Sequence, residues 1–185
     1  AMIAVYTLIF SRVMHSRLPG STDNFAYSIF LCAGIISWGL FAEVAQRGVN
    51  VFIDNANLIK KLSFPKLCLP LIVVSSAFIN FAIVFGLFLI FLGLTGHFPG
   101  WPALLALPVL FAQLVFALGI GMTLAVFNVF FRDVGQLFNI ALSFWFWMTP
   151  IVYPLSVLPD AVSLLVQLNP MTAIVVAYQN IFAGG

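Results

Sequence analysis

The longest uncharged stretch of the chain fixes the environment in which it folds. Between Lys66 and Arg132 lie 65 residues without a Lys, Arg, Asp or Glu. As one α-helix this stretch would measure roughly 98 Å, about twice the thickness of a bilayer with its headgroups. Glycines and prolines cluster at Gly96–Pro102 and predict a turn there. The pattern therefore predicts two membrane-crossing helices joined by a tight turn.

The alternation of apolar and polar segments extends this prediction to the rest of the chain. Five apolar segments are predicted to cross the membrane wholly or in part: 1–11 (the outer half of a first helix), 26–46, 67–95, 101–131 and 134–150. The polar segments between them are predicted loops: 12–25, 47–66, 96–101 and the corner 132–133. The predicted fold is all-α, a polytopic helical membrane bundle of about five spans plus short re-entrant helices.

The tail is interrupted by prolines at Pro150, Pro154 and Pro159. The apolar pieces that follow, 161–168 and 171–182, are each too short to cross about 30 Å of hydrocarbon. They predict two short helices that dip in from the outer face over 155–183 and meet near Asn169-Pro170. The alternative is one span of about 24 residues, kinked at Pro170.

Composition narrows the classes of function. Charged residues make up 6% of the chain, against about 25% in soluble domains, so we expect one transmembrane domain over 1–185, cut at both ends. The net charge of +2 is too small to suggest nucleic acid. Lys and Arg concentrate in 47–66 and 132–133, which predicts that these loops are cytoplasmic. The sequence has no phosphate-binding loop, metal-ligand motif or Ser/His/Asp set, so we expect a transport protein rather than an enzyme.

Glu43 is the one acid inside a predicted span. An intramembrane carboxylate can serve a proton-coupled transporter. Arg47 follows one helical turn later, in the favourable acid-first order, near the predicted cytoplasmic end of the span. A structural Glu43–Arg47 pair is therefore the preferred interpretation, and the proton site is its alternative.

Three other polar or aromatic groups have both a plain and a functional interpretation. Asn55–Lys66 is an ordinary positive-inside flank or a docking surface for a cytoplasmic partner. In the corner Arg132-Asp133, Asp133 also suits the positive end of the following helix. An aromatic group at the outer end of the last span is an interface belt or a sugar-stacking surface; its members are Phe138, Phe144, Trp145, Phe146, Trp147 and Tyr153.

Four motifs, in this order and at these predicted depths, together resemble the permease subunit of ABC type-2 exporters, in the polysaccharide and polyol-phosphate branch (O-antigen, capsule, teichoic acid). They are Leu58-Ile59-Lys60-Lys61-Leu62-Ser63-Phe64-Pro65 with Leu69-Pro70, Phe131-Arg132-Asp133, Thr149-Pro150-Ile151-Val152-Tyr153-Pro154, and Leu168-Asn169-Pro170. The resemblance covers nearly the whole chain. It implies six spans, of which this chain lacks the last and part of the first, and short outward-facing gate helices.

The resemblance also implies partners and roles. A second permease copy and two ATP-binding subunits are expected, with ATP and Mg on those subunits and no cofactor or metal in this chain. The expected cargo is a lipid-linked glycan or polyol phosphate, and the expected location is a bacterial inner membrane in contact with lipid. The expected coupling residues are Asn57, Leu58, Lys60, Lys61, Phe64, Pro65, Arg132 and Asp133. The expected path and gate residues are Trp145, Trp147, Pro150, Tyr153, Pro154, Asn169 and Pro170. A drug- or lipid-exporting branch of the same superfamily remains an alternative.

Overall fold

The computed structural model describes residues 26–56, 68–97, 99–153, 163 and 166–183. Within these residues the secondary structure is helical, without a β-strand. The α-helices are α1 (Ala26–Asp54), α2 (Cys68–Thr95), α3 (Ala106–Phe130), α4 (Asp133–Met148) and α5 (Pro170–Ala183). A 3₁₀ helix, Trp101–Leu105, leads directly into α3. The prediction of an all-α membrane bundle is confirmed.

Three of these elements are long and apolar enough to cross a membrane. They are α1, α2 and the continuous stretch Trp101–Phe130. The last two match the predicted spans 67–95 and 101–131. The turn between them is also where the sequence predicts it, and both Gly96 (φ 75°) and Gly100 (φ 64°) adopt the left-handed conformation that glycine tolerates best.

The predicted loop 47–66 begins too early. Helix α1 continues through Arg47 to Asp54, and Asn55 closes it by donating from its side-chain amide to the Val51 carbonyl oxygen at 2.9 Å. The charged residues do not end this helix: Arg47 and Asp54 lie seven residues apart on one exposed face of α1, while Val49 and Val51 are buried. Glu43 consequently lies 11 residues, about 16 Å, before the end of α1 rather than close to it.

Helix α4 corresponds to the predicted span 134–150 but is only 16 residues long. That is about 24 Å, which is short of a full straight crossing. Helix α5, with 14 residues, is shorter still and begins at Pro170, as predicted for the second short tail helix. The predicted first tail helix lies mostly outside the described residues.

The described residues divide into two compact units. The first unit contains 26–38, 84–109 and 147–183. Its core is built on α5, whose inward face carries Met171, Val175, Tyr178 and Phe182 at helical spacing. The Phe182 ring meets the Phe88 ring edge to face with centroids 5.6 Å apart, an arrangement that aromatic pairs favour.

The second unit contains 39–83 and 110–146. Here α1 and α3 touch backbone to backbone at Gly48 and Gly121: a Cβ placed on Gly48 would lie 3.0 Å from the Gly121 Cα atom. Ala117 and Ala125, one turn either side of Gly121, are also fully buried. Small residues at this spacing allow membrane helices to approach closely.

Candidate functional site

A row of four polar side chains joins α1 to α2 in the second unit. Glu43 accepts from Arg47 at 2.8 Å, the predicted acid-first pair. Arg47 Nη1 donates to the Ser76 hydroxyl at 2.8 Å, and Asn80 Nδ2 donates to Glu43 Oε2 at 2.7 Å. The Arg47 side chain is half exposed, and Asn80 is exposed. The two charges therefore compensate each other on the surface of this unit, and they are held there by neutral groups of α2.

A single buried amide fixes the end of α3 against α1 and α4. Asn128 is 1% exposed, and its Nδ2 donates to the Val49 carbonyl at 3.0 Å and to Asn50 Oδ1 at 3.1 Å. Its Oδ1 accepts from the Gly135 N–H at 3.0 Å, close to the N-terminus of α4, where backbone N–H groups lack intrahelical partners. Asn128 therefore holds three helices at the point where the chain turns.

The Arg132-Asp133 corner lies within this turn. Both residues are exposed, and Asp133 is the first residue of α4, where its carboxylate complements the helix dipole. Within the described parts of the chain, neither side chain has a hydrogen bond or an ion pair. The corner thus presents a cation and an anion on a rigidly held turn, which suits contact with another protein surface.

The tail contains a second polar connection, in the first unit. Asn169 precedes α5 and caps it, since its Oδ1 accepts from the Met171 N–H at 3.0 Å. Its Nδ2 donates to the buried Thr149 hydroxyl at 3.1 Å. Farther along α5, the buried Gln179 donates to the Pro150 carbonyl at 3.1 Å. The start and the middle of α5 are therefore both tied to the segment that follows α4.

Two of the aromatic residues predicted for the translocation path, Trp147 and Tyr153, are joined by a hydrogen bond in the first unit. Tyr153 donates its hydroxyl to the Trp147 carbonyl at 2.9 Å, and burial raises the pKa of its phenol, so it stays a neutral donor at physiological pH. Trp147 is 67% exposed. Trp145 belongs to the second unit, where it packs edge to face on Phe41 at 5.3 Å between centroids.

Trp145 also lines an open groove of about 490 Å³ along α3 and α4. Apart from Thr123, the groove is lined by apolar side chains and a glycine; the lining residues are Gly119, Ile120, Thr123, Leu124, Phe138, Ala141 and Trp145. It has no titratable group, so it offers an apolar surface but no acid or base.

Comparison with known proteins identifies the family. The profile of the ABC-2 type transporter family matches residues 1–183. The chain belongs to the ABC-2 type transporter family. The O-antigen export system permease protein RfbA of Myxococcus xanthus is 36% identical over 180 residues, which cover 96% of this chain and 67% of that protein. Two Klebsiella pneumoniae proteins of the same name are 28% and 29% identical over 182 residues, 98% of this chain and 68% of theirs.

Family membership makes this ABC-2 chain a membrane-integral transport subunit, as the sequence predicted. Several predicted site residues lie outside the described residues: Asn57, Leu58, Lys60, Lys61, Phe64, Pro65 and Pro154. Pro150 is buried against α5, whereas Pro170, the first residue of that helix, is exposed. The roles assigned to these residues stay predictions.

Sequence reasoning missed the polar residues that organise this ABC-2 transporter. Ser76, Asn80, Asn128 and Gln179 lie in otherwise largely apolar stretches, and none of them was among the predicted site residues. A usable signal was present, because a polar side chain in a membrane span is costly unless it has a partner. The sequence could not say which helix supplies that partner.

Proposed function

We propose that this chain is the membrane permease subunit of an ATP-driven exporter of lipid-linked polysaccharide or polyol phosphate, located in a bacterial inner membrane. The observation that carries the proposal is the similarity, over nearly the whole chain, to O-antigen export permeases. The absence of a phosphate-binding loop from the sequence fits ATP hydrolysis on a separate subunit.

The working assembly in this proposal is two permease copies and two ATP-binding cassette subunits, with ATP and Mg held by the latter. The loop after α1 and the Arg132-Asp133 corner face the cytoplasm and receive the motion of the ATP-binding subunits. Two features support this role for the corner: both charged side chains are exposed, and Asn128 fixes the backbone beside them. A rigid turn transmits displacement, whereas a loosely held loop would absorb it.

The outer gate in this proposal is the start of α5 with the segment after α4. A helix start at membrane depth needs partners for its backbone groups, and Asn169 supplies one of them. The Asn169–Thr149 hydrogen bond joins two neutral side chains, so breaking this bond requires little free energy, of the order of 1 kcal/mol. Such a contact suits a gate that opens and closes in each transport cycle.

The assembly is tested by removing the gene in the producing strain. Surface polysaccharide should disappear and lipid-linked intermediates should accumulate in the inner membrane, with both effects reversed by the intact gene. In inverted vesicles, export should require ATP and should survive collapse of the proton gradient. Normal surface polysaccharide without this chain would overturn the proposal.

Glu43 separates the ATP-driven mechanism from the proton-coupled alternative. Glu43→Gln removes the titratable proton but keeps the size of the side chain and its ability to accept from Asn80. The ATP-driven mechanism predicts that export by this variant still tolerates an uncoupler. The opposite result has two parts: export by the unmodified chain responds to an imposed proton gradient, and export by Glu43→Gln no longer does, while ATP hydrolysis is unchanged. That result would favour proton coupling.

The coupling role of 55–66 is tested by replacing Lys60, Lys61 and Phe64 with Ala. We expect the ATP-binding subunits to be lost from the purified complex, or their ATP hydrolysis to lose its link to export, while membrane insertion is unchanged. A complex of normal composition and normal export would refute this role.

A further inference from the structure

The row formed by Glu43, Arg47, Ser76 and Asn80 lies at a depth where charged groups are unexpected. Asn80 is 12 residues after the start of α2 and 15 before its end, or about 18 Å and 22 Å along the helix. Glu43 is 17 residues after the start of α1 and 11 before its end. Both residues are therefore near the middle of helices long enough to cross a bilayer.

The row opens on the surface of the second unit. Asn80 is exposed and the Arg47 side chain is 50% exposed. The neighbouring α2 residues Ile79 and Ile83 are 62% and 61% exposed, as expected for side chains that face lipid. Hydrocarbon cannot solvate an exposed ion pair, so the row must face water, a polar ligand or another protein.

The chemistry of the row favours a neutral, hydroxyl-bearing ligand. The two charges are joined at 2.8 Å, so the row has no net charge and little attraction for an isolated phosphate. Arginine has five N–H donors, and Arg47 uses two of them on Glu43 and Ser76. Among the described residues, the remaining Arg47 donors and the Asn80 carbonyl oxygen have no partner. A sugar hydroxyl both donates and accepts hydrogen bonds, so it matches a surface on which donors and acceptors lie side by side.

On this basis we propose that Glu43, Arg47, Ser76 and Asn80 form a binding site for the sugar units of the exported glycan, open to the translocation path at membrane depth. This inference rests on the proposed export of a glycan. Because the row has no net charge, it would hold successive sugars by hydrogen bonds alone, so the chain could be bound without being trapped. The ion pair's role is to hold these donors and acceptors in place.

Cysteine labelling tests the site in the whole complex, in cells that make the glycan. The background is Cys32→Ala with Cys68→Ala, which must still export polysaccharide. Asn80→Cys and Ser76→Cys are treated with a small hydrophilic thiol reagent applied to both faces of the membrane. Ile79→Cys is the matched control, because it is exposed beside Asn80 on the face assigned to lipid.

Thiols react as thiolates, and an ion is strongly disfavoured in hydrocarbon, so Asn80→Cys should react at least about tenfold faster than Ile79→Cys. Ser76→Cys should behave like Asn80→Cys, so the test does not depend on the folding of one variant. Labelling should slow at least about threefold when glycan-loaded cells are compared with cells blocked in glycan synthesis, since each weak contact contributes a factor of this order.

Each other outcome overturns the proposal. Equal labelling of Asn80→Cys and Ile79→Cys would mean that the row does not face a water-filled path. Disulfide-linked pairs of Asn80→Cys chains, without labelling, would place the row between two permease copies. Fast labelling that the glycan does not slow would mean a wet surface without a sugar site. If surface polysaccharide does not depend on this chain at all, the proposed function fails first, and the labelling still reports whether the row is in water.

Discussion

The backbone contact between Gly48 and Gly121 gives a sharp test of the fold of the second unit. A Cβ on Gly48 would lie 3.0 Å from the Gly121 Cα, and a Cβ on Gly121 would lie 3.1 Å from the Ala45 carbonyl oxygen. Carbon atoms in favourable contact are about 3.5–4.0 Å apart. Backbone atoms cannot rotate away as a side chain can. Alanine at either position therefore forces α1 and α3 apart.

The expected magnitude comes from two opposing terms. Overpacking a close contact costs about 1–3 kcal/mol, whereas Gly→Ala in a helix gains about 1 kcal/mol in helix propensity. Gly39→Ala on α1 and Gly119→Ala on α3 isolate the second term, because an added Cβ meets nothing within 4 Å at either position. Gly48→Ala should thus be less stable than Gly39→Ala by about 1–3 kcal/mol. On α3, Gly121→Ala should likewise be less stable than Gly119→Ala.

The measurement is the free energy of unfolding in mixed micelles of dodecyl maltoside and SDS, followed by circular dichroism. Gly48→Ala and Gly121→Ala should also be non-additive, since both relieve their overlap by the same separation of the two helices. Two results would refute the reasoning. One is an equal effect of Gly48→Ala and Gly39→Ala, and the other is simple additivity in the double variant.

Three further predictions concern the polar contacts and the corner. Asn128→Leu should lower the free energy of unfolding by roughly 2–4 kcal/mol because it leaves buried backbone groups unpaired, whereas the exposed Asn139→Leu should change it by less than about 0.5 kcal/mol. Gln179→Leu should lower the free energy of unfolding by about 1–3 kcal/mol, whereas Gln167→Leu, at an exposed position, should change it little. Equal effects of the two variants would contradict the Gln179–Pro150 hydrogen bond. Asp133→Ala should cost no more than about 1 kcal/mol of stability yet reduce the ATP hydrolysis of the reconstituted complex during export, and unchanged hydrolysis would remove the corner from coupling.

The long helices and their connecting turn were predictable because length and hydropathy alone determine them. An uncharged stretch whose helical length is about twice the thickness of a bilayer must turn back. Gly96 and Gly100 lie at the turn, where positive φ angles are needed. The beginning of α5 was predictable for a similar local reason, since Pro170 has no N–H to donate and is tolerated at a helix start. These features depend on neighbours in sequence only.

The polar contacts were not predictable because they depend on pairing between helices far apart in sequence. Asn128 and Val49 are separated by 79 positions, and Asn80 and Glu43 by 37. Asn80 and Asn128 each appear in the sequence as one polar residue between apolar ones. The register that brings two of them together is set by the packing of whole helices, here by the Gly48–Gly121 contact among others.

The misplaced end of α1 shows how one helix boundary changes a functional interpretation. Charge was taken to mark water, so Arg47 was assigned to a loop and Glu43 to the membrane edge. Because α1 runs on to Asp54, Glu43 lies 11 residues before the end of the helix, and an ion pair at such a position would be costly if hydrocarbon surrounded it. The predicted Glu43–Arg47 pair is present, but it lies within a helix and not beside the start of a loop. The two charges are joined to each other, and Ser76 and Asn80 of α2 hydrogen-bond to them; this arrangement is the reason for proposing that the row binds a neutral polar cargo.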